Sequence, residues 1–264
     1  MARPPTRPRG AVVFFHAHPD DEAIFTGGTM ARLADDGWPV VLVLATGGEL
    51  GTRFAAGRDA DGLREERQAE TRRAAEALGV SRLEFLGYLD SGVAGVEANL
   101  APGSFNAADA DDAAGRLAAI CADVGAAALV AYDDHGIYGH PDHLKVHEVG
   151  LRAAARAGIE VVYEATVDRE YLHFVETHLV VEVLGDAPEF GLASTSLGVP
   201  TVEVATTVDV RPVLDRKRAA MAAHASQIPE SGYAMRLAPA AFSAVYGFEW
   251  YLRRGPAGPI DVLT

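Results

Sequence analysis

Cysteine is almost absent from this chain: Cys121 stands alone, so no internal disulfide can form. Its setting, Leu117-Ala-Ala-Ile-Cys-Ala122, fits the buried side of a helix. Long hydrophobic runs are missing as well. No stretch approaches the roughly 20 apolar residues of a membrane span, and the run Ala11 to Phe15 is too short for a signal-peptide core. A cytoplasmic protein is the expectation. Positive charge is in deficit, with Lys+Arg 23 against Asp+Glu 37 and a formal charge of -14. Such a surface repels phosphate backbones and anionic lipid heads, so neither nucleic acid nor membrane is expected as a partner. The acidic excess keeps a protein dispersed and identifies no substrate. Internal repeats are also lacking, and 264 residues suit one compact unit.

What is present is an alternation of short apolar runs with longer helical patterns. The runs are Ala11 to Phe15, Val40 to Ala45, Arg82 to Leu86, Ala127 to Tyr132 and Ile159 to Tyr163. Between them, Glu22 to Asp36 and Arg64 to Leu78 read as helices stopped by Gly37 and Gly79. Asn106 to Ala122 and Pro141 to Ala157 supply two more, the second with proline at its first position and Gly158 at its end. This order predicts an α/β, Rossmann-like parallel sheet flanked by helices over residues 1–164. Beyond it the pattern loosens. Tyr171 to Leu184 and Val213 to Ser226 read as helices, and Thr201 to Val210 as an outer strand. Residues 165–264 are therefore expected to form a cap and C-terminal elements of the same single domain, with Ser91 to Phe105 and Gly185 to Val199 as pocket-shaping loops.

Six of the nine histidines fall in two short segments, and both segments follow predicted strands. The first is Phe15-His16-Ala17-His18-Pro19-Asp20-Asp21-Glu22, after strand one. The second runs from Tyr132 through Asp133, Asp134, His135, Tyr138, His140, Asp142 and His143 to His147, after strand four. In open parallel sheets ligands bind beyond the carboxyl ends of strands, and with strand order 3-2-1-4-5 both segments face one crevice at the switch point. Two histidines and one aspartate form the three-ligand set of a catalytic metal that keeps one coordination position open. A metal there acidifies water and polarises a carbonyl, the two requirements of amide hydrolysis. Asp20 and Asp21, pointing different ways from one turn, divide the labour: one binds metal and one takes a proton. Each segment alone also reads blandly, the first as a capped helix start and the second as a helix face. Their conjunction at neighbouring strand ends does not.

His18-Pro-Asp-Asp-Glu22 followed by Tyr138-Gly-His-Pro-Asp-His143 closely resembles the PIG-L/LmbE-like family of metal-dependent N-acetylglucosaminyl deacetylases, which includes mycothiol-pathway enzymes. The stretches Ala45 to Gly51, Phe85 to Gly92, the helix with Arg67 and Glu70, and His224-Ala-Ser-Gln227 are similar too. The resemblance implies that His18, Asp21 and His143 hold the metal and that Asp20 is the general base. It implies a protonated His140 that stabilises the oxyanion, with Asp142 orienting and charging its ring. Tyr138 becomes a mobile donor to the tetrahedral intermediate, and Arg67 and Asp90 become sugar contacts. Glu49, on the glycine-rich turn after strand two, is expected to touch substrate. His16 is read as a packed strand-end residue, His147 as part of a solvated helix face, and His135 stays open. Ser226 beside His224 lacks a nucleophile turn and reads as a cap or supporting residue.

The expected function is removal of an acetyl group from an N-acetylated amino sugar by a zinc-dependent hydrolase, the donor set suiting Fe2+ as well. Two other functions share these residues: an amidase of larger conjugates and a noncatalytic metal- or sugar-binding protein. Acetate among the products separates the first alternative, and a general base at Asp20 speaks against the second. The oligomeric state is left open, a homo-oligomer included.

Overall fold

The computed structural model describes residues 10–51, 59–175 and 197–264. Seven strands form one sheet: β1 (Val12–His16), β2 (Val40–Thr46), β3 (Arg82–Tyr88), β4 (Ala128–Tyr132), β5 (Val162–Thr166), β6 (Thr206–Asp209) and β7 (Phe248–Arg254). Their order is β3-β2-β1-β4-β5-β7-β6. The first five are parallel, in the expected order 3-2-1-4-5, while β7 runs antiparallel to both β5 and β6. The α/β class is as read from the sequence, but the sheet is mixed rather than wholly parallel. Strands β1, β2 and β4 are buried at every residue. That matches their unbroken apolar runs, since a parallel strand covered on both faces has no polar side to show.

Among the described residues the helices are α1 (Gly27–Asp35), α2 (Ala60–Leu78), α3 (Ala110–Asp123), the single turn α4 (Gly136–Gly139), α5 (Pro141–Ala157), α6 (Arg169–Val175), α7 (Leu214–Ala223), α8 (Tyr233–Arg236) and α9 (Pro239–Tyr246). They pack in two groups, α3 with α5 and α1 with α2 and α7. Right-handed crossovers leaving β1 and β4 in opposite directions put the groups on opposite faces. The stops work as expected: Gly79 and Gly158 close α2 and α5 in the left-handed region, at φ 78° and 68°. Among the described residues no helix is long and apolar enough to cross a membrane.

Several boundaries differ from expectation for local reasons. The helix expected over Glu22 to Asp36 splits into a π-helical stretch, Glu22–Thr26, and α1. Thr26 Oγ1 lies 3.2 Å from the Glu22 carbonyl and 2.9 Å from His16 Nε2. The amides of Gly28 and Thr29 donate to Glu249 on β7, giving α1 a cap from across the molecule. Helix α3 starts later than expected, because Asp109 caps it by accepting from the amides of Asp111 and Asp112. Strand β6 covers the second half of the expected outer strand, and a short turn, Thr201–Glu203, replaces the first half. Strand β7 was not foreseen; Phe-Glu-Trp-Tyr-Leu-Arg-Arg does not alternate cleanly. Most of the expected helix over Tyr171 to Leu184 and of the loop from Gly185 lies outside the described residues.

Candidate active site

Four strand ends build the site. From β1 the chain turns through His18 to Asp21, and Asp20 sits at φ 106°, a conformation a residue with a Cβ rarely adopts. Local bonds hold it there. The Asp20 amide donates to Glu22 Oε2 at 2.9 Å, and the Asp20 carbonyl accepts from the amides of Ala23 and Ile24. From β2 comes the Gly47-Gly48 turn, where a Cβ on Gly48 would fall 2.3 Å from Arg67. Glycine thus lets the backbone close on the buried guanidinium of α2. Arg67 donates to the carbonyls of Gly48 and Pro19 and lies 3.2 Å from Asp20 Oδ2. From β3 come Asp90 and Ser91, and from β4 come Asp133, α4 and the start of α5.

These elements enclose a pocket of about 240 Å³ lined by His18, Asp20, Asp21, Arg67, Asp90, Tyr138 and His140, with Leu50, Gly51, Gly92, Val93 and Gln227 around them. Asp142 and His143 are fully buried against its floor. Asp21 Oδ2 lies 3.3 Å from His18 Nδ1 and 3.2 Å from His143 Nε2. Atoms that share a tetrahedral zinc at ~2.0–2.1 Å sit roughly 3.4 Å apart, so this spacing fits a metal's ligand atoms. Among the described residues three groupings have ligand atoms within 4.8 Å of one another: His18, His140 and His143; His18, Asp90 and Asp142; and Asp133, Asp134 and His135, whose last two residues are exposed. The charge balance points the same way. Asp20, Asp21 and Asp90 line the pocket with Asp142 behind them, and among the described lining residues Arg67 is the permanent cation.

Burial opposes charge on His18, yet hydrogen bonds to Asp142, Asp21 and Asp90 outweigh it and raise its pKa well above the usual imidazole value. Burial likewise works against an ionised Asp21, but His143 and His18 hold its carboxyl well below the ordinary range. Asp20 is different. Burial pushes it up to about 6, with Arg67 opposing and Asp21 reinforcing the rise. Two neighbouring aspartates thus have opposite chemistry, one a firm anion and one able to carry a proton.

Several sequence-based placements change. Asp142 does not orient His140 through its carboxylate. Asp142 Oδ2 lies 3.1 Å from His18 Nε2, and only the Asp142 backbone amide reaches His140 Nδ1. Nor is His140 charged: burial first, then His18 and His143, lower its pKa to about 4. Glu49 is outside the pocket lining, and its Oε1 accepts from Arg64 and from the Asp90 amide. Asp90 has both oxygens engaged, by the amides of Gly92 and Leu50, while one edge faces the pocket. Tyr138 is half exposed, its hydroxyl 3.2 Å from His143 Nε2. His16 is fully buried between Tyr132 and Thr26, a packed residue as expected. His147 is not on a solvated face: its ring contacts the Tyr132 carbonyl and Glu164. His135 is exposed beside Asp134.

Sequence reasoning passed over Ser91, Asp133 and the pairing of Glu22 with His224. Glu22 and His224 meet at 2.5 Å, fully buried. Ser226 donates through amide and hydroxyl to Glu70, the supporting role expected of it. Asp133 accepts from the amides of His135 and Ile137 and from Thr166, and so braces the turn carrying Tyr138. Its position immediately after β4 was the available signal.

A family model described as GlcNAc-PI de-N-acetylase, PIG-L, matches residues 13–154. A 1D-myo-inositol 2-acetamido-2-deoxy-alpha-D-glucopyranoside deacetylase from Acidothermus cellulolyticus is 40% identical, the match covering 94% of this chain and 90% of the relative. The enzyme of the same name from Thermobifida fusca is 35% identical over 94% and 96% of the two chains. Among solved structures, N,N'-diacetylchitobiose deacetylase from Pyrococcus horikoshii superposes with a TM-score of 0.65 at 19% identity, covering 93% of this chain and 84% of its own. That likeness concerns the fold.

Proposed function

Because this chain belongs to the PIG-L, GlcNAc-PI de-N-acetylase family, we propose that it removes the acetyl group from a 2-acetamido-2-deoxyglucoside carried on inositol, using a divalent cation held by His18, Asp21 and His143. It is a deacetylase, a hydrolase of an amide C–N bond. The substrate follows the named activity of its relatives. Zinc is the cation the donor set suits best, with iron(II) served by the same set. When bound, such an ion polarises the acetamide carbonyl and acidifies a water molecule.

The observation that carries the mechanism is the division between Asp20 and Asp21. Asp21 turns one oxygen toward both ligand histidines, while Asp20, one residue earlier and held at φ 106°, faces the pocket beside Arg67. Asp20 takes the proton of the attacking water on its carboxylate and delivers it to the departing sugar nitrogen. Arg67 keeps that carboxylate largely ionised near neutrality. His140, uncharged, and Tyr138 line the same pocket and serve as donors to the oxyanion. Arg67 and the pocket edge of Asp90 are left for sugar hydroxyls.

The test is acetate and free-amine release from the inositol 2-acetamido-2-deoxyglucoside by zinc-loaded protein, with Asp20→Asn run in parallel and metal content measured in both. The expected result is equimolar acetate and amine, falling about a hundredfold or more in the variant while zinc stays bound. No acetate from the acetamido sugar, with amine freed instead from a conjugate carrying a larger acyl group, would move the reading to a larger amide. Zinc binding without turnover of any acetamido sugar or larger amide would leave the noncatalytic binding reading.

A further inference from the structure

A histidine that ligates metal has two ring nitrogens, and something must decide which one is turned to the ion. For His18 the decision lies with Asp142, in the first turn of α5. His18 Nε2 is 3.1 Å from Asp142 Oδ2. The same Oδ2 accepts from the Ser91 amide at 2.9 Å, and Asp142 Oδ1 accepts from Ser91 Oγ at 2.5 Å. Ser91 Oγ also accepts from the Asn106 amide at 2.9 Å. A hydroxyl has one proton, so with Asn106 donating to it, Ser91 gives that proton to Asp142. The Ser91 backbone is clamped in turn, its carbonyl accepting from the Asn99 side-chain amide at 2.6 Å. Ser91 and Asp142 are wholly buried, and His18 is 7% exposed.

Asp142 is thus surrounded by donors, and its remaining acceptor capacity faces His18. With Asp142 accepting at Nε2, that nitrogen keeps its hydrogen, and Nδ1, 3.3 Å from Asp21 Oδ2, is the nitrogen left to face a cation shared with Asp21. We propose that Ser91 is a positioning residue of the cation site: through Asp142 it fixes the tautomer and ring angle of His18, so that Nδ1 is the ligand atom. This rests on the ligand reading given above. Partners of this kind, outside the ligands themselves, typically govern metal affinity by 10- to 100-fold.

Two measurements test it. Zinc affinity of the metal-free full chain, read by competition with a chromophoric chelator, is compared among wild type, Ser91→Ala, Ser91→Thr, Asp142→Asn, the Ser91→Ala/Asp142→Asn double variant and His18→Ala. Ser91→Ala is expected to weaken zinc about 10- to 100-fold, Ser91→Thr to restore much of the loss, and the double variant to match Asp142→Asn, because the two act as one unit. Zinc affinity unchanged in Ser91→Ala, with His18→Ala strongly impaired, overturns this proposal and leaves the ligand set standing. Unchanged affinity in His18→Ala overturns the ligand set itself, and this proposal with it. Independently of any variant, long-range 1H–15N spectra of zinc-loaded wild type are expected to show His18 with hydrogen on Nε2. Hydrogen on Nδ1 overturns the proposal.

Discussion

The buried ion pair of Lys217 and Glu249 and the cluster around His18 are built from the same kinds of group in the same protein interior. At the first, Glu249 Oε1 accepts from Lys217 at 2.6 Å and from Gly28 at 2.7 Å, while Oε2 accepts from Thr29 at 2.8 Å. One cation meets one anion, both 1% exposed. Around His18, by contrast, carboxylates from three strand ends converge on imidazole nitrogens beside an open pocket. Residue type does not separate the two regions; charge balance and access do. A matched, closed pair organises a fold, here by capping α1, whereas an unmatched and open one is a place for a ligand.

The sharpest way to break this contrast is to unbalance the matched pair. Lys217→Met leaves Glu249 buried without its cation and is expected to cost about 3–5 kcal/mol in urea unfolding, with much of that regained when Glu249→Leu is added. A cost below about 1 kcal/mol would show that the pair is not closed as described. Next in size, Asp21→Asn removes the charged oxygen shared by His18 and His143. Zinc affinity measured calorimetrically should fall by more than the roughly 100-fold expected of an outer partner, and an unchanged value would mean that the excess charge is not what holds a cation.

His147 sharpens the comparison as an intermediate case. Its ring lies 3.1 Å from Glu164, which Arg254 also holds, and the hydrogen bond to Glu164 raises its pKa despite burial. A histidine whose folded pKa is raised stabilises the fold fully below its unfolded value of about 6.5 and loses that contribution as pH rises through the folded value. His147→Gln should therefore lower stability by about 1 kcal/mol near pH 5.5, with the gap closing toward pH 8.5. Thermal melts across that range check it, and a gap that widens with pH contradicts the assigned charge.

The first five strands, their order and the glycine stops of α2 and α5 were legible because each rests on a local cause: apolar runs, capping chemistry and the reach of short connections. The two histidine-bearing segments were legible for the same reason, since their spacing within each motif and their place after strands are written locally. Strand β7 was not, because its register comes from pairing with β5 and β6 rather than from its own alternation. Asp142 is the clearest lesson at the site. Its neighbour in sequence, His140, suggested one partnership, while the fold gives its carboxylate to His18, 124 positions away.

By itself, then, the sequence determined the α/β class, the crevice between β1 and β4 and the residue types that fill it, because hydrophobic period and motif spacing act over a few residues. Only the tertiary structure decided which carboxylate faces which imidazole, and which aspartate has its pKa raised and which lowered. Those outcomes depend on burial and on contacts between segments that meet only when the sheet is assembled.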